Sequence, residues 1–304
     1  MLNLRNCANK TQTVKIGSRS NSAKGPLGGM AGSSPLVTKL SHFVPLSDED
    51  ERVLEALCVK EELFEADTDL AVQGDVPRSA FVLTRGMAFR YRLLPEGKRQ
   101  ILTFLIPGDV FGLHAFLLRA MDHSVGTLVP TRLAAISRAT VFDLFEHHPR
   151  IGAALWWSAL QQEAINRERI VALGRREARG RVAYLLCELL WRQRAVGLSE
   201  GDAIRLPLTQ LELADTLGLT SVHINRILQG FRRDNLIALA RHRLTLGDVE
   251  RLQEIAGFNQ DYLLLSGELS PNLGDGLRDQ AAAVWDCEDA ELAATSIPSV
   301  NLTP

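Results

Sequence analysis

The stretch that decides the fold runs Thr209-Gln-Leu-Glu-Leu-Ala-Asp-Thr-Leu-Gly-Leu-Thr-Ser-Val-His-Ile-Asn-Arg-Ile-Leu228. Thr209 and Glu212 form the Thr-x-x-Glu pattern of a capping box, in which each side chain satisfies a free backbone N–H at a helix start. Gly218 favours the left-handed backbone that ends a helix, and Thr220 is suited to cap a second one. The stretch predicts two short helices joined by a tight turn, the device by which many proteins place a helix in the DNA major groove.

The second helix is predicted to have two chemically different faces. Apolar residues at i, i+3, i+4 and i+7 spacing form its inward stripe, namely Ile224, Ile227, Leu228 and Phe231. An arginine can donate two hydrogen bonds to guanine, an amide can pair with adenine, and an exposed valine can contact a thymine methyl group. We therefore predict DNA contacts from the outward set and its margin: Thr220, Ser221, Val222, His223, Asn225, Arg226 and Gln229. An ordinary amphipathic helical hairpin is the alternative.

The residues after the second helix predict a small β-hairpin. It spans Ala238 to Leu246 and carries Arg241, His242 and Arg243 near its tip. A hairpin with a basic tip beside a recognition helix makes a winged helix, and its cations contact phosphates without reading sequence. We predict this role for Arg241 and Arg243, with a solvated basic turn as the alternative.

The N-terminal half has a different sequence pattern. Short apolar stretches alternate with Gly, Pro and Asp turns between residues 61 and 112. Such spacing predicts a β-sandwich or barrel, which can hold one small ligand or be filled by side chains. Pro95–Lys98 is a predicted hairpin turn. Ahead of this region, Ser47–Glu51 predicts a capped helix with acidic residues at its positive end.

A long helix is predicted from Pro149 to about Gly174. One stripe on it is half polar and comprises Ile151, Leu155, Ser158, Gln162, Ile165 and Arg169. The other is apolar apart from one arginine and comprises Ala153, Trp157, Leu160, Ala164, Arg167 and Val171. Trp156 and Trp157 together are expected to serve both surfaces of the helix. A long helix with an apolar face predicts a dimer seam, and packing on its own barrel is the alternative.

Charge is distributed unevenly along a chain whose formal net charge is only −2. Residues 1–35 hold five Lys or Arg and no acid, residues 174–258 hold thirteen Arg against ten acids, and residues 266–304 hold one Arg against seven acids. A mildly basic segment between a basic and an acidic tail suits a DNA-binding protein. Both tails lack apolar periodicity and are predicted to be disordered.

Several functional classes find no support in the sequence. No apolar run is long enough to span a membrane, so we expect a cytoplasmic protein with no membrane partner. The four cysteines lie far apart, which disfavours zinc and iron–sulfur ligation, and we expect Cys58 and Cys187 in the core. No nucleophile elbow, phosphate loop or metal-ligand pattern is present. We therefore predict no enzyme, no catalytic or metal-binding residue and no cofactor.

Taken together, these residues resemble the Crp/Fnr family of bacterial transcription regulators over about residues 40–257. The resemblance rests on landmarks in a fixed order: Gly74-Asp75, Val82–Gly86, Glu96–Lys98, Pro107–Gly112, Gly174–Arg181 and Leu219–Arg226. It implies an α+β fold with an N-terminal jelly-roll sensor of the cyclic-nucleotide-binding type, a dimerisation helix and a C-terminal winged helix-turn-helix. The expected domains are a basic tail (1–35), the sensor (36–145), the helix (146–174), the DNA-binding domain (175–257) and an acidic tail (258–304).

The same resemblance implies a function and partners. We expect a homodimeric transcription regulator that binds a two-fold symmetric site in double-stranded DNA, with RNA polymerase as a further partner. A small-molecule sensor that acts mainly through protein contacts is the alternative. The outward polar set of the second helix argues against it, because a protein-binding face should be more apolar.

The departures from the family pattern concern the effector. Members that bind cyclic AMP place a Glu after the glycine that matches Gly112, and an Arg-Ser pair further on. Here these positions are Leu113 and His123-Ser124, so the resemblance implies no cyclic-nucleotide binding. Haem-sensing members use axial ligands such as His; His114 and His123 are present here, and we expect neither to bind haem. The sequence identifies no effector.

The recognition helix also departs from the cyclic AMP type. An Arg-Glu pair opens the helix in that type, where this chain has Ser221-Val222. Arg226 matches the second base-contacting Arg of the family. We therefore expect Arg226 to be a shared base reader and the DNA preference to differ at Ser221, Val222 and Asn225.

Overall fold

A computed structural model describes residues 33–76, 79–113 and 120–265 of the chain. The N-terminal strands are β1 (Glu61–Phe64), β2 (Asp69–Ala71), β3 (Ala80–Arg85), β4 (Ala88–Leu93), β5 (Arg99–Leu105), β6 (Val110–Phe111), β7 (Ser124–Thr127) and β8 (Thr131–Ile136). The helices are α1 (Pro35–Ser41), α2 (Asp48–Leu57), α3 (Arg138–His147), α4 (Pro149–Arg175), α5 (Ala178–Ala195), α6 (Gln210–Leu217), α7 (Ser221–Arg233) and α8 (Val249–Ala256). The C-terminal strands are β9 (Ala203–Arg205), β10 (Ile237–Ala240) and β11 (Arg243–Leu246).

The first eight strands form two antiparallel sheets of four strands each. Their orders are β1-β8-β3-β6 and β2-β7-β4-β5, and the inner faces are apolar. The β4–β5 hairpin turns where the sequence predicts it, with the Leu94 N–H donating to the Lys98 carbonyl oxygen at 2.8 Å and Gly97 at a φ of 83°. This sheet pair, followed by helices and a winged helix-turn-helix, confirms the predicted α+β fold.

Local caps explain where the N-terminal helices begin. The Ser47 hydroxyl accepts from the Asp50 N–H, and the Asp50 carboxylate accepts from the Ser47 N–H, which is the capping box of α2. The α1 helix was not predicted; it begins at Pro35 with Ser34 as its N-cap. Residues 33–35, at the end of the expected disordered tail, are therefore part of this structured segment, while residues 1–32 lie outside the described residues.

The long helix α4 has a buried face that follows the predicted half-polar stripe and an exposed face that matches neither predicted stripe. Most of the half-polar stripe, from Ile151 to Arg169, is buried against the chain itself. One line of exposed residues recurs at alternating spacings of three and four: Trp156, Ala159, Glu163, Asn166 and Ile170; Arg167 and Val171 beside it are exposed too. The second, mostly apolar stripe lies on neither face, since it begins at half-buried Ala153 and ends at exposed Val171. Polar and apolar residues are mixed along this helix, so tertiary packing decides which side is buried.

The two adjacent tryptophans of α4 serve different surfaces, as expected. Trp156 is 64% exposed, whereas Trp157 packs half-buried against the core beneath the helix. We call the line formed by Trp156, Ala159, Glu163, Asn166 and Ile170 the exposed α4 face. Its spacing averages 3.5 residues, which is the repeat of a coiled-coil seam.

The helix α5, whose bounds were not predicted, lies at the centre of the C-terminal half. It is almost wholly buried from Val182 to Leu190, because the winged helix packs on one side of it and the barrel on the other. Phe89, Ile101 and Phe104 of the barrel belong to the same apolar cluster as α5, α6 and α7. The sensor and the helix-turn-helix thus share a continuous core.

The end of the described chain corrects the expected start of the acidic tail. Phe258, Tyr262 and Leu263 pack onto α4 and α5, and the Gln161 amide donates to the Leu263 carbonyl oxygen. Residue 258 is therefore part of the folded structure, because its aromatic ring packs edge-on against Tyr184. Residues 266–304 lie outside the described part of the chain.

Candidate DNA-binding surface

The helix-turn-helix has the local chemistry that the sequence predicts. The Thr209 hydroxyl accepts from the Glu212 N–H at 3.2 Å, and Glu212 accepts from the Thr209 N–H at 2.6 Å. Gly218 ends α6 in the left-handed conformation, with a φ of 63°. The Thr220 hydroxyl then accepts from the His223 N–H at 3.2 Å and caps α7. These contacts fix both helices and the turn between them.

The α7 helix buries one face and presents the other to solvent. Ile224, Leu228 and Phe231 are buried, and Ile227 is half-buried against the same core. Of the residues predicted to contact DNA from this helix, Ser221, Val222, His223, Arg226 and Gln229 are exposed; Arg232 and Arg233 at its end are exposed too. Val222 is 68% exposed, which is unfavourable for an aliphatic side chain in water. An apolar contact, such as a thymine methyl group, would remove that cost.

Asn225 differs from the rest of the outward set because it is half-buried. Gln210, the first residue of α6, donates from its Nε2 to the Asn225 Oδ1 at 3.3 Å. This bond uses the Asn225 amide oxygen and does not engage its amide N–H groups. Sequence reasoning missed Gln210, since the pairing depends on how the two helices cross.

The wing is a three-stranded sheet in the order β10-β11-β9. Arg241 and His242 form its two-residue turn, with φ values of 48° and 62°. Such a turn twists in the sense that the flanking strands require. The predicted basic hairpin is therefore present, with Arg241, His242 and Arg243 all exposed at its tip.

The two wing arginines are not equivalent. The Arg243 guanidinium pairs with the Glu200 carboxylate at 2.7 Å, so a phosphate would have to replace that acid. Arg241 makes no ion pair with any described residue. Glu200 was missed from sequence because it approaches the wing only when β9 joins the sheet.

A cavity of about 370 Å³ lies between the barrel and α4. Leu113 and His123, the two departures from the cyclic AMP pattern, both line it. Burial lowers the pKa of His123, although Asp122 opposes that shift. His123 is therefore neutral at pH 7 and does not replace a guanidinium. His114 lies outside the described residues.

The cavity also contains two cations that sequence reasoning missed, Lys39 from α1 and Arg90 from β4. Burial lowers the pKa of Arg90 to about 10, so it stays charged at neutral pH. Lys39 pairs with Asp109 beneath the cavity wall. Both cations reach the cavity through packing between distant segments, which no local pattern reveals.

A buried charge network lies between the barrel and α5. The Arg192 guanidinium pairs with Asp109 at 2.9 Å and with Glu188 at 3.3 Å, and Glu188 also pairs with Arg169 at 3.2 Å. Lys39 completes the network through Asp109. We call these five residues the buried network; each side chain is less than one-tenth exposed.

Two of the four cysteines, Cys58 and Cys187, lie in the part of the chain that the structure describes. Burial raises the pKa of Cys187 to about 12 and that of half-buried Cys58 to about 11, so both thiols stay protonated. Of the two, only Cys187 lies fully in the core as expected. In the described part of the chain, no three His, Cys, Asp or Glu side chains are grouped to hold a metal ion, and no helix is long and apolar enough to cross a membrane.

Both halves of the chain match models of known protein domains. A model of the cyclic nucleotide-binding domain matches residues 61–148, and a model of the Crp-like helix-turn-helix domain matches residues 180–255. The nitrogen fixation regulation protein FixK of Bradyrhizobium diazoefficiens is 30% identical over 183 residues, which cover 60% of this chain and 76% of FixK. The transcriptional activator protein FnrL of Cereibacter sphaeroides is 29% identical over 202 residues, covering 65% of this chain and 81% of FnrL.

Solved structures share the fold. FixK2 from Bradyrhizobium japonicum superimposes with a TM-score of 0.59 at 22% identity, over 66% of this chain and 98% of that one. TTHB099 from Thermus thermophilus, a transcriptional regulator of the CRP family, gives a TM-score of 0.53 at 23% identity, over 65% of this chain and 97% of that one.

Proposed function

We propose that this chain, which belongs to the Crp/Fnr family of transcription regulators, acts as a homodimer. The dimer would bind a two-fold symmetric operator. Each α7 helix enters one major groove, and each wing contacts the adjacent backbone. The observation that carries this proposal is the exposed set of Ser221, Val222, Arg226 and Gln229 on a helix that is otherwise anchored in the core.

The proposed roles within the surface follow from chemistry. Arg226 donates to guanine, Val222 contacts a thymine methyl group, and Asn225 donates its amide protons to a base acceptor. Thr220, Ser221, His223 and Gln229 supply further contacts around them. Arg241 and Arg243 bind phosphates and contribute affinity rather than specificity.

Binding assays at two salt concentrations test the function as a whole. At about 50 mM salt we expect the protein to retard many genomic fragments, and at about 200 mM salt only those that carry an operator, because non-specific binding is mainly counterion release. A protein that binds no fragment at either concentration would instead favour a sensor acting through protein contacts.

The relatives suggest the direction of regulation. FnrL is named a transcriptional activator, and we extend that role to this chain, with RNA polymerase as the partner. The domain division at residues 36, 146 and 175 and a cytoplasmic location belong to the same proposal.

The exposed α4 face is the proposed dimer seam, and Ile170, at 71% exposure, is its most exposed apolar residue. Ile170→Glu should remove two buried side chains from a symmetric interface, about 3–6 kcal/mol in all. We expect the dimer dissociation constant to rise roughly 100-fold or more, as measured by sedimentation velocity over a concentration series. Val59→Glu is the matched control, since Val59 is 76% exposed and lies between α2 and β1, outside α4. An unchanged dissociation constant for Ile170→Glu would place the seam elsewhere.

The sensor cavity is expected not to bind cyclic AMP. Leu113 offers no acceptor for a ribose hydroxyl, and His123 is neutral at pH 7. Titration calorimetry with cyclic AMP should therefore show no binding heat at micromolar concentrations. A micromolar dissociation constant would mean that Arg90 neutralises the cyclic phosphate from its different position on β4.

A further inference from the structure

The sensor touches the helix-turn-helix directly through strand β5. The Arg99 Nε donates to the Asp215 Oδ2 of α6 at 2.8 Å, and the Gln100 Nε2 donates to the Thr216 carbonyl oxygen at 3.2 Å. We call these two hydrogen bonds the β5–α6 contact. It joins two segments that lie 116 residues apart in the sequence.

Apolar packing supports this contact from below. Phe89 and Ile101 of the barrel lie in the same cluster as Leu213 and Leu217 of α6. The Arg99 guanidinium lies 5.2 Å from the centre of the Phe89 ring. The Arg99 and Asp215 side chains are only 29% and 19% exposed, so the ion pair is better shielded than an ordinary surface pair, which is worth little.

The contact lies near the C-terminal end of α6, on residues outside the proposed DNA-contacting set. It engages Asp215 and Thr216, whereas the proposed base contacts begin at Ser221, beyond the turn. Ser221, Val222 and Arg226 stay exposed while the contact is made. The contact is therefore compatible with DNA binding and does not block the recognition helix.

The covalent connection between α4 and α5 does not by itself fix the orientation of the winged helix. At the junction of α4 and α5, Arg176 has an extended backbone with φ −77° and ψ 144°, so the two helices do not continue into each other. Arg192 holds α5 to the barrel through Asp109. The β5–α6 contact holds the helix-turn-helix itself, on the other side of the shared core.

We propose that Arg99 and Asp215 are positioning residues that set the half-site spacing this protein accepts. The inference rests on the proposed function, in which a dimer reads two half-sites at once. One inserted base pair moves a half-site by about 3.4 Å and rotates it by about 35°. A restrained winged helix cannot follow that movement, whereas a loosened one follows it at a smaller cost.

A charge-swap series tests the proposal with three variants of the full chain: Arg99→Asp, Asp215→Arg and the double substitution. The double substitution keeps the wild-type net charge and re-forms the pair in reverse. Arg52→Asp is the matched control, because it breaks the exposed Arg52–Glu49 pair within α2. Fluorescence anisotropy would measure the affinity of each protein for the operator selected by the wild-type chain, and for the same operator with one base pair inserted or removed between half-sites.

We expect the wild-type and Arg52→Asp proteins to discriminate equally against altered spacing. In each single β5–α6 variant, the affinity ratio between the selected and the altered operators should fall by about threefold or more. The double variant should regain the wild-type ratio. The informative quantity is the ratio of the affinity for the selected operator to the affinity for each altered operator. A change of net charge alters the affinity for all three operators alike and leaves this ratio unchanged. Unchanged ratios in both single variants, or a double variant that does not regain them, would overturn the proposal. Arg99→Met serves the same test if a reversed charge unfolds the chain.

Amide hydrogen exchange without DNA provides an independent readout. Residues 212–219 and 97–101 should exchange faster in both single variants and return to wild-type rates in the double variant. Unchanged exchange in the single variants would overturn the restraint itself. Faster exchange combined with unchanged spacing ratios would overturn only the role in spacing. A wild-type chain that selects no symmetric operator would contradict the proposed function, and with it that role.

Discussion

Arg226→Ala is expected to abolish site-specific DNA binding while leaving weak, salt-sensitive binding intact. Arg226 is exposed on the outward face of α7, and we propose that it reads a guanine. A bidentate arginine–guanine contact is worth about 1–3 kcal/mol of base discrimination, and a dimer loses two of them. The total of about 2–6 kcal/mol is comparable with the gap of about 4–10 kcal/mol between specific and non-specific binding.

Affinities for an operator and for a scrambled duplex at several salt concentrations would measure this effect. The operator affinity should fall to near that of the scrambled duplex, while the scrambled affinity changes little. Arg251→Ala removes an equally exposed arginine from α8, where it pairs with Glu254, and should leave operator preference intact. Equal losses of both affinities in Arg226→Ala would show that Arg226 contacts only phosphate.

Among the substitutions proposed for this chain, Asp109→Asn should cause the largest decrease in the free energy of unfolding. Asp109 is 1% exposed and pairs with both Lys39 and Arg192 in the buried network. Removing its charge leaves two buried cations without their shared partner. Breaking a buried ion pair from one side costs about 3–5 kcal/mol, and we expect a loss of this size in the free energy of unfolding measured with urea.

The other member of the Lys39–Asp109 pair provides the comparison. Burial lowers the pKa of Lys39 even though Asp109 opposes that shift, so the charged lysine is costly where it lies. Lys39→Met leaves Asp109 paired with Arg192 and should destabilise the protein less than Asp109→Asn. If Lys39→Met were the more damaging substitution, Arg192 could not be the main partner of Asp109.

The pH dependence of stability follows from the same site. Burial alone would raise the pKa of Asp109, but Lys39 and Arg192 outweigh burial and hold it below its ordinary value. A carboxyl group with a lowered pKa in the folded state contributes stability above its unfolded pKa of about 3.9, and loses it as the pH falls through the folded pKa. Asp109→Asn should therefore show a shallower loss of stability in acid than the wild-type chain.

Local chemistry made the helix-turn-helix predictable. The Thr209–Glu212 capping box, the turn at Gly218 and the apolar spacing from Ile224 to Phe231 each act within a few residues. The wing was predictable for the same reason, because a two-residue turn and its flanking strands are contiguous in sequence. The residues predicted to read DNA are those that these short patterns leave facing solvent.

Features that depend on long-range packing were missed. The α5 helix has apolar residues on all sides because it is enclosed by the barrel and the winged helix, so it lacks the periodicity of a surface helix. The exposed α4 face differs from both predicted stripes because the barrel decides which side of α4 is covered. Gln210, Arg90 and the buried network depend on pairs of segments far apart in sequence, and no spacing rule within one segment could have indicated them.

Selection of bound fragments from random or genomic DNA, followed by motif analysis, tests the central claim most directly. The account predicts a motif with two-fold symmetry and half-sites about one helical turn apart. It also predicts a guanine in each half-site that becomes unimportant in Arg226→Ala. A motif without symmetry, or no enrichment of any sequence above the scrambled background, would contradict the claim that this chain reads an operator as a dimer.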